Sequence, residues 1–294
     1  MTNLGGIYPP IPTPFDQDEK VAYGKLEFNL GRWLAQPLDG IVVPGSNSEA
    51  GFLSKEERLQ ILQVCANALR GTGKRLIAGT GMETTAETIE MTQQAAELGA
   101  EAALVLPPYF YKPSLTHEVL LAHYRAVADA TPIPLLVYNV PQFTGIDFAV
   151  ATLVAMNEHP RIVGAKDSSG NVIKMASVLA ARSNFQLFAG TASAFLPFLS
   201  LGAVGGILAL ANLAAVPLRQ LVDAFLAGRN ADARQIQLSL AAINNAVTAR
   251  FGVPGLKYAM DRVGFYGGPT RRPLLPLGPD GRAEIDRLLA PLQL

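Results

Sequence analysis

The chain has 294 residues, 49% of them hydrophobic and 16% charged, with 24 basic side chains against 24 acidic ones. That apolar content excludes extended disorder, and the balanced charge, with an isoelectric point near 6.8, offers no basic field for nucleic acid or anionic lipid. The single cysteine, Cys65, excludes a disulfide framework and a cysteine-based zinc site, and fits a reducing cytoplasm.

The first residues, Met1 to Tyr8, lack the basic and apolar regions of a signal peptide, so no export is expected. From there short apolar runs recur, each ended by Gly, Pro, Ser or Asn and followed by a segment of helical period. They occupy residues 6–11, 40–43, 75–78, 102–106, 135–138, 162–165, 186–189 and 205–209. Their spacing is about that of one strand plus its crossover helix. Because the runs are apolar throughout instead of alternating, both sheet faces should be covered, as in parallel strands flanked by helices.

Helix starts are marked independently. Ser54 and Thr85 place hydroxyls just before acidic first turns, Ser54 to Glu57 with capping-box spacing, and Gly71 and Gly99 stand where a helix would stop. Cys65 falls in the first of these helices, on a pattern that packs it, and no histidine is near to act as its base.

Eight strand–helix units predict an α/β fold, a (β/α)8 TIM barrel in preference to an open doubly wound sheet. No Gly-x-Gly-x-x-Gly follows the first strand, which removes the main support for a dinucleotide fold. Between Arg182 and Arg219 no residue is charged, but Pro197, Gly202, Gly205, Gly206, Asn212 and Pro217 break this stretch well below the ~20 continuous apolar residues of a membrane span. After Arg229 the pattern is helical only, over 231–249, 254–263 and 283–289, so residues 1–228 read as the barrel and 229–294 as a C-terminal helical extension.

In a barrel the chemistry lies at the C-terminal ends of the strands. The residues just after the runs include Gly45-Ser46-Asn47-Ser48-Glu49, Pro107-Pro108-Tyr109-Phe110-Tyr111, Tyr138-Asn139-Val140-Pro141, Lys166-Asp167-Ser168-Ser169-Gly170 and Gly190-Thr191. Of the eight lysines in the chain, Lys166 alone directly ends an apolar strand run. Desolvation there disfavours the ammonium form, and a neutral amine is what imine formation with a ketone requires. The structural alternative is a lysine that reaches solvent or pairs with Asp167.

Tyr138 ends the preceding strand, where its phenol could carry a proton to or from a substrate oxygen; otherwise it is a core tyrosine with a hydrogen-bonded tip. Ser46 and Asn47 could grip a carboxylate as neutral donors, or serve only the turn. Together these groups describe Schiff-base chemistry on a 2-oxo acid with no cofactor. A metal-dependent aldolase would need a cluster of ligands, but His117, His123 and His159 fall on helices or helix ends, and Glu49, Glu83 and Asp167 are scattered, so no metal site is expected. Gly190-Thr191-Ala192-Ser193 has no Lys or Arg for a phosphate.

Gly45-Ser46-Asn47-Ser48-Glu49, Tyr138-Asn139-Val140-Pro141-Gln142-Phe143-Thr144-Gly145 and Lys166-Asp167-Ser168-Ser169-Gly170, in this order, resemble the dihydrodipicolinate synthase and N-acetylneuraminate lyase family. The likeness runs from about Gly5 to Leu277. It implies a (β/α)8 barrel with a helical extension, commonly a homotetramer, that uses pyruvate through a lysine Schiff base. It further implies Lys166 as the imine-forming residue, Tyr138 as the proton shuttle, Ser46 and Asn47 on the pyruvate carboxylate, and Ser168, Gly190 and Ile207 lining the pocket.

Within the family, the Ser-Asn pair, Lys-Asp-Ser, and the segments Arg250 to Lys257 and Tyr266 to Pro269 are most similar to the 4-hydroxy-2-oxoglutarate aldolases. Against the synthases, Ser46-Asn47 replace Thr-Thr, and Phe143 stands where an Arg would meet the aldehyde's carboxylate. Phe110 stands where a relay Tyr is usual, leaving that role absent or to Tyr109 or Tyr111, and Ser48 replaces a usual Gly. Without that Arg, a distal carboxylate would need another donor, such as Lys112 or Ser48.

The expected reaction is cleavage of a 4-hydroxy-2-oxo acid to pyruvate and an aldehyde. The alternatives are a 4-hydroxy-tetrahydrodipicolinate synthase joining pyruvate to aspartate semialdehyde, a 2-keto-3-deoxy sugar acid aldolase or dehydratase, and, with Phe110 as its motive, a barrel that binds a 2-oxo acid without turning it over. The expected partners are small molecules and further copies of the chain, with no nucleic acid and no membrane.

Overall fold

Every apolar run forms a strand in the computed structural model, which describes residues 3–292. The strands are β1 (Gly6–Tyr8), β2 (Gly40–Val43), β3 (Arg75–Gly79), β4 (Ala102–Val105), β5 (Leu135–Asn139), β6 (Ile162–Asp167), β7 (Gln186–Ala189) and β8 (Gly205–Ile207). Between and after them lie α1 (Tyr23–Leu34), α2 (Lys55–Leu69), α3 (Thr85–Glu97), α4 (His117–Ala130), α5 (Pro141–Thr144), α6 (Val150–Met156), α7 (Val172–Ala181), α8 (Phe195–Ser200), α9 (Ala215–Leu226), α10 (Asn230–Asn245), α11 (Gly252–Arg262) and α12 (Pro279–Leu289). β1 stops earlier than its apolar run because Pro9 and Pro10 have no N–H to continue the ladder. β6 runs further than its apolar core and carries Lys166 and Asp167 inside the strand.

The strands form one sheet in the order β1-β8-β7-β6-β5-β4-β3-β2, the order of the expected (β/α)8 barrel. Two compact units share the chain. One comprises residues up to Gly6 with Arg75–Gly206, the other Ile7–Lys74 with Ile207–Leu294.

Within the first unit β3 to β7 pair in parallel, neighbour to neighbour, and Gly205 and Gly206 pair with Phe188 and Ala189. Within the second, the Leu208 N–H donates to the Tyr8 carbonyl, while Pro10 and Val42 form a parallel bridge that sets the end of β1 beside β2. β2, β4, β5, β6 and β7 are buried along their whole length, as strands covered on both faces must be.

Local capping explains the helix starts. Ser54 accepts from the Glu57 N–H at 3.2 Å while Glu57 accepts from the Ser54 N–H at 2.9 Å, closing the box at the head of α2. The cap of α3 is Thr84, one residue before the expected Thr85: its Oγ1 accepts from the Glu87 N–H at 3.1 Å, and Thr85 instead meets His123 Nδ1 at 2.9 Å. The expected helix over 231–249 is α10 followed by a π-helical turn, Ala246–Arg250. α12 starts earlier than expected because Pro279 suits a first turn, where its missing N–H is no loss. No helix among the described residues is long and apolar enough to cross a membrane.

Candidate active site

Parallel pairing of β5 with β6 sets Tyr138 opposite Lys166 and, one step on, Asn139 opposite Asp167. The Lys166 Nζ lies 4.0 Å from the centroid of the Tyr138 ring, over its face. Both side chains are enclosed, Lys166 at 3% exposure and Tyr138 at 4%. Lys166 therefore does not reach solvent, one of the two structural alternatives for it.

The other alternative was an ion pair with Asp167, and that carboxylate is engaged elsewhere. It accepts from Asn139 Nδ2 at 2.6 Å, from Ser169 Oγ at 2.9 and 2.8 Å, and from the Gly170 N–H at 3.1 Å, and the ammonium facing it is that of Lys174, at 3.7 Å. Lys174 also pairs closely with Asp147, which accepts from the same Asn139 amide at 2.8 Å. The Asn139 side-chain oxygen takes the Phe148 N–H at 3.1 Å. A hydrogen-bonded rung thus lies immediately beyond the Tyr138–Lys166 rung and fixes the ends of both strands. Sequence reasoning assigned no role to Asn139, Asp147 or Lys174; the Tyr-Asn and Lys-Asp pairs ending adjacent strands were the available signal.

At the end of β7 the Gly190 N–H donates to the Asp167 carbonyl at 2.7 Å, and Ser168 Oγ to the Gly190 carbonyl at 3.4 Å. A β-carbon at Gly190 would stand 2.2 Å from Ser168 Oγ and 2.6 Å from the Asp167 carbonyl oxygen, so only glycine fits. Ser168 and Gly190 are thereby brought together beside the strand that carries Lys166.

Phe110 and Phe143 are not enclosed with Lys166 and Tyr138. They are 73% and 64% exposed, in the segments that follow β4 and β5. Glu83 holds the first of these segments by accepting from the N–H groups of Tyr109 and Phe110 at 3.2 and 3.1 Å, and the rings of Phe110 and Tyr111 meet edge to face at 5.0 Å. Lys112 crosses to the segment after β5. Gly145 has φ +69°, and a β-carbon there would lie 2.9 Å from Lys112 Cε and 3.2 Å from its Nζ. The ammonium is thus set beside the turn that bears Phe143.

In the second unit Ser46 and Asn47 occupy a 3-10 turn, Ser46–Ser48, directly after β2, and are half-buried. Ser48 is closed off: its Oγ donates to the Ile11 carbonyl at 2.5 Å and accepts from the Gly45 N–H at 2.9 Å, and its carbonyl accepts from Thr13 Oγ1 at 2.7 Å. It is a structural pin of the turn and not the substrate donor considered from the sequence. Ile207 ends β8 and is fully buried.

The histidines serve separate contacts, His117 with Thr152, His123 with Thr85 and His159 with Asp129. Among the described residues no group of three or more His, Cys, Asp or Glu is placed to hold a metal ion. Burial lowers His123 to about 4 and pushes the Cys65 thiol up, so neither ionises near neutrality.

The model of the dihydrodipicolinate synthetase family matches residues 3–291. A 4-hydroxy-tetrahydrodipicolinate synthase of Prochlorococcus marinus (strain MIT 9313) is 37% identical over 99% of this chain and 96% of its own. Among solved structures, the dihydrodipicolinate synthase of Cyanidioschyzon merolae with lysine bound superposes with a TM-score of 0.94 at 29% identity, covering all of both chains. The chloride-inhibited dihydrodipicolinate synthase of Acinetobacter baumannii complexed with pyruvate has a TM-score of 0.92 at 32% identity, covering 98% of each chain.

Proposed function

The chain belongs to the dihydrodipicolinate synthetase family and is a class I, pyruvate-dependent lyase of that family, a premise from which we propose that it cleaves a 4-hydroxy-2-oxo acid to pyruvate and an aldehyde. The observation that carries this is the enclosed Lys166 amine over the Tyr138 ring at the ends of two adjacent strands. Lys166 attacks the 2-oxo carbon and expels water to form a protonated imine. Tyr138 takes the proton of the 4-hydroxyl, the C3–C4 electron pair moves into the imine, and the aldehyde leaves. Protonation of the resulting enamine at C3 and hydrolysis of the imine then release pyruvate and the free amine. Ser46 and Asn47 hold the pyruvate carboxylate, and Ser168, Gly190 and Ile207 line the pocket.

A second reading has support of its own. Relatives at 32 to 37% identity are named 4-hydroxy-tetrahydrodipicolinate synthases, which favours the reverse use of the same enamine, condensation with aspartate semialdehyde. Against it stand Ser46-Asn47, Phe110 and above all Phe143, which removes the cation expected to meet that aldehyde's carboxylate. The non-catalytic barrel gives way, since the chain is a lyase of this family. Homotetrameric assembly, a cytoplasmic location, and the division into a barrel (1–228) and a helical extension (229–294) belong to the same proposal.

The deciding experiment follows pyruvate release from a panel of 4-hydroxy-2-oxo acids, 4-hydroxy-2-oxoglutarate and 2-keto-3-deoxy sugar acids included, beside condensation of pyruvate with aspartate semialdehyde. Turnover of the panel with slow condensation supports the aldolase. The reverse pattern establishes the synthase.

A further inference from the structure

The turn bearing Ser46 and Asn47 ends at Glu49, and that residue is unusual in two respects. Its backbone is left-handed, with φ +57°, a region that residues with a β-carbon avoid unless their surroundings hold them there. Its carboxylate is also fully enclosed and paired with an enclosed ammonium, Lys257 of α11, whose Nζ lies 2.5 Å from Glu49 Oε1. Glu49 Oε2 accepts from the backbone N–H of Arg271 at 2.8 Å, 222 residues along the chain.

The two partners are themselves fixed. Lys257 donates to the Pro269 carbonyl at 2.8 Å and lies 4.5 Å over the Phe15 ring. Arg271 grips both oxygens of Glu57 at 2.7 Å, donates to the carbonyls of Glu19 and Phe52, and covers Phe15 at 4.3 Å. Desolvating such a pair offsets most of its attraction, so net stability is a poor account of it; what it supplies is a single geometry for the segment it holds.

We propose that Lys257 and Arg271 are positioning residues for the carboxylate-binding turn: they clamp Glu49 in its left-handed conformation and thereby orient Ser46 and Asn47 toward the carboxylate of the 2-oxo acid. Helix α11 and the segment between α11 and α12 thus take part in substrate recognition without touching substrate. This rests on the reading of Ser46 and Asn47 as the grip on that carboxylate.

The test uses the full-length protein, Lys257→Met, and the double variant Glu49→Gln/Lys257→Met, which removes both charges and leaves no unpaired ion in the interior. Two readouts are taken: the pyruvate concentration that half-saturates borohydride trapping at Lys166, and amide hydrogen exchange over residues 45–49. The expected result, in whichever variant folds, is a rise of roughly tenfold or more in half-saturating pyruvate. The trapped fraction at saturation stays unchanged because Lys166 is intact, and exchange quickens at 45–49 ahead of the rest of the chain. A folded variant with wild-type half-saturation and wild-type exchange at 45–49 overturns the proposal, whatever its melting temperature. If wild-type protein is not trapped by pyruvate, the Schiff-base reading falls, and exchange alone decides: local quickening at 45–49 sustains the clamp, and unchanged protection refutes it.

Discussion

Lys174, and not the adjacent Lys166, is the cation that faces the buried Asp167 carboxylate, at 3.7 Å. Lys174 also pairs with Asp147, between α5 and α6, so its removal leaves that carboxylate and the one ending β6 without their counter-ion. Lys174→Met should therefore lower unfolding free energy by roughly 3 kcal/mol, the scale for breaking a buried pair by deleting one partner. Denaturant midpoints at unchanged m-value measure this. A midpoint equal to wild type would mean that Asn139, Ser169 and Gly170 satisfy Asp167 without help.

Removing the Tyr138 hydroxyl isolates proton transfer from packing, because Tyr138→Phe keeps the ring over which Lys166 lies. Its kcat should fall by roughly 10²- to 10⁴-fold. Thermal stability and imine trapping with pyruvate should survive. Retention of kcat within a few-fold would assign the proton to another group, Tyr109 or Tyr111 being the nearest in sequence to the vacant relay position at Phe110.

Substrate choice at the distal end is expected to turn on Phe143 and Lys112. A charge-assisted contact contributes about 1.5–3 kcal/mol, so Phe143→Arg should shift kcat/KM toward dicarboxylic over monocarboxylic substrates by on the order of tenfold or more. Lys112 lies against Gly145 in the turn bearing Phe143. If its ammonium meets a distal carboxylate, Lys112→Met should lower kcat/KM for dicarboxylic substrates alone, by roughly tenfold. A ratio unchanged in both variants removes these residues from the specificity pocket.

Burial holds His123 at about 4, against an ordinary 6.5. Because the folded state binds this proton less readily than the unfolded chain, stability is full above the ordinary value and is lost as pH falls from 6.5 toward 4. The loss approaches about 3 kcal/mol. His123→Asn has no such proton to take up, so its denaturant midpoint should change less between pH 7 and pH 4.5 than that of wild type. Parallel losses in the two proteins would place the acid sensitivity elsewhere.

What the sequence made legible was whatever depends on near neighbours. The apolar run 162–165 ended by Lys166 announced both a strand and its reactive terminus, and Ser54 to Glu57 announced the start of α2. At α3 two adjacent hydroxyls competed, and the capping spacing of Thr84 to Glu87 outweighs that of Thr85. Partners distant along the chain left no local trace. Nothing around Glu49 signals Lys257 or Arg271, and nothing around Asp167 says that its cation stands in the first turn of α7 instead of being the residue before it. Ser48 reads as a free donor in the sequence for the same reason, since its hydroxyl is taken by the carbonyl of Ile11, 37 residues away.

Whether Lys166 forms an imine with a 2-oxo acid is read by borohydride reduction in the presence of pyruvate followed by peptide mass analysis. One stable adduct is expected, on Lys166, absent in Lys166→Ala, a variant that stays folded with equal or higher thermal stability because a desolvated amine has been removed. An unmodified Lys166 under turnover conditions, or an adduct on another lysine, would contradict it.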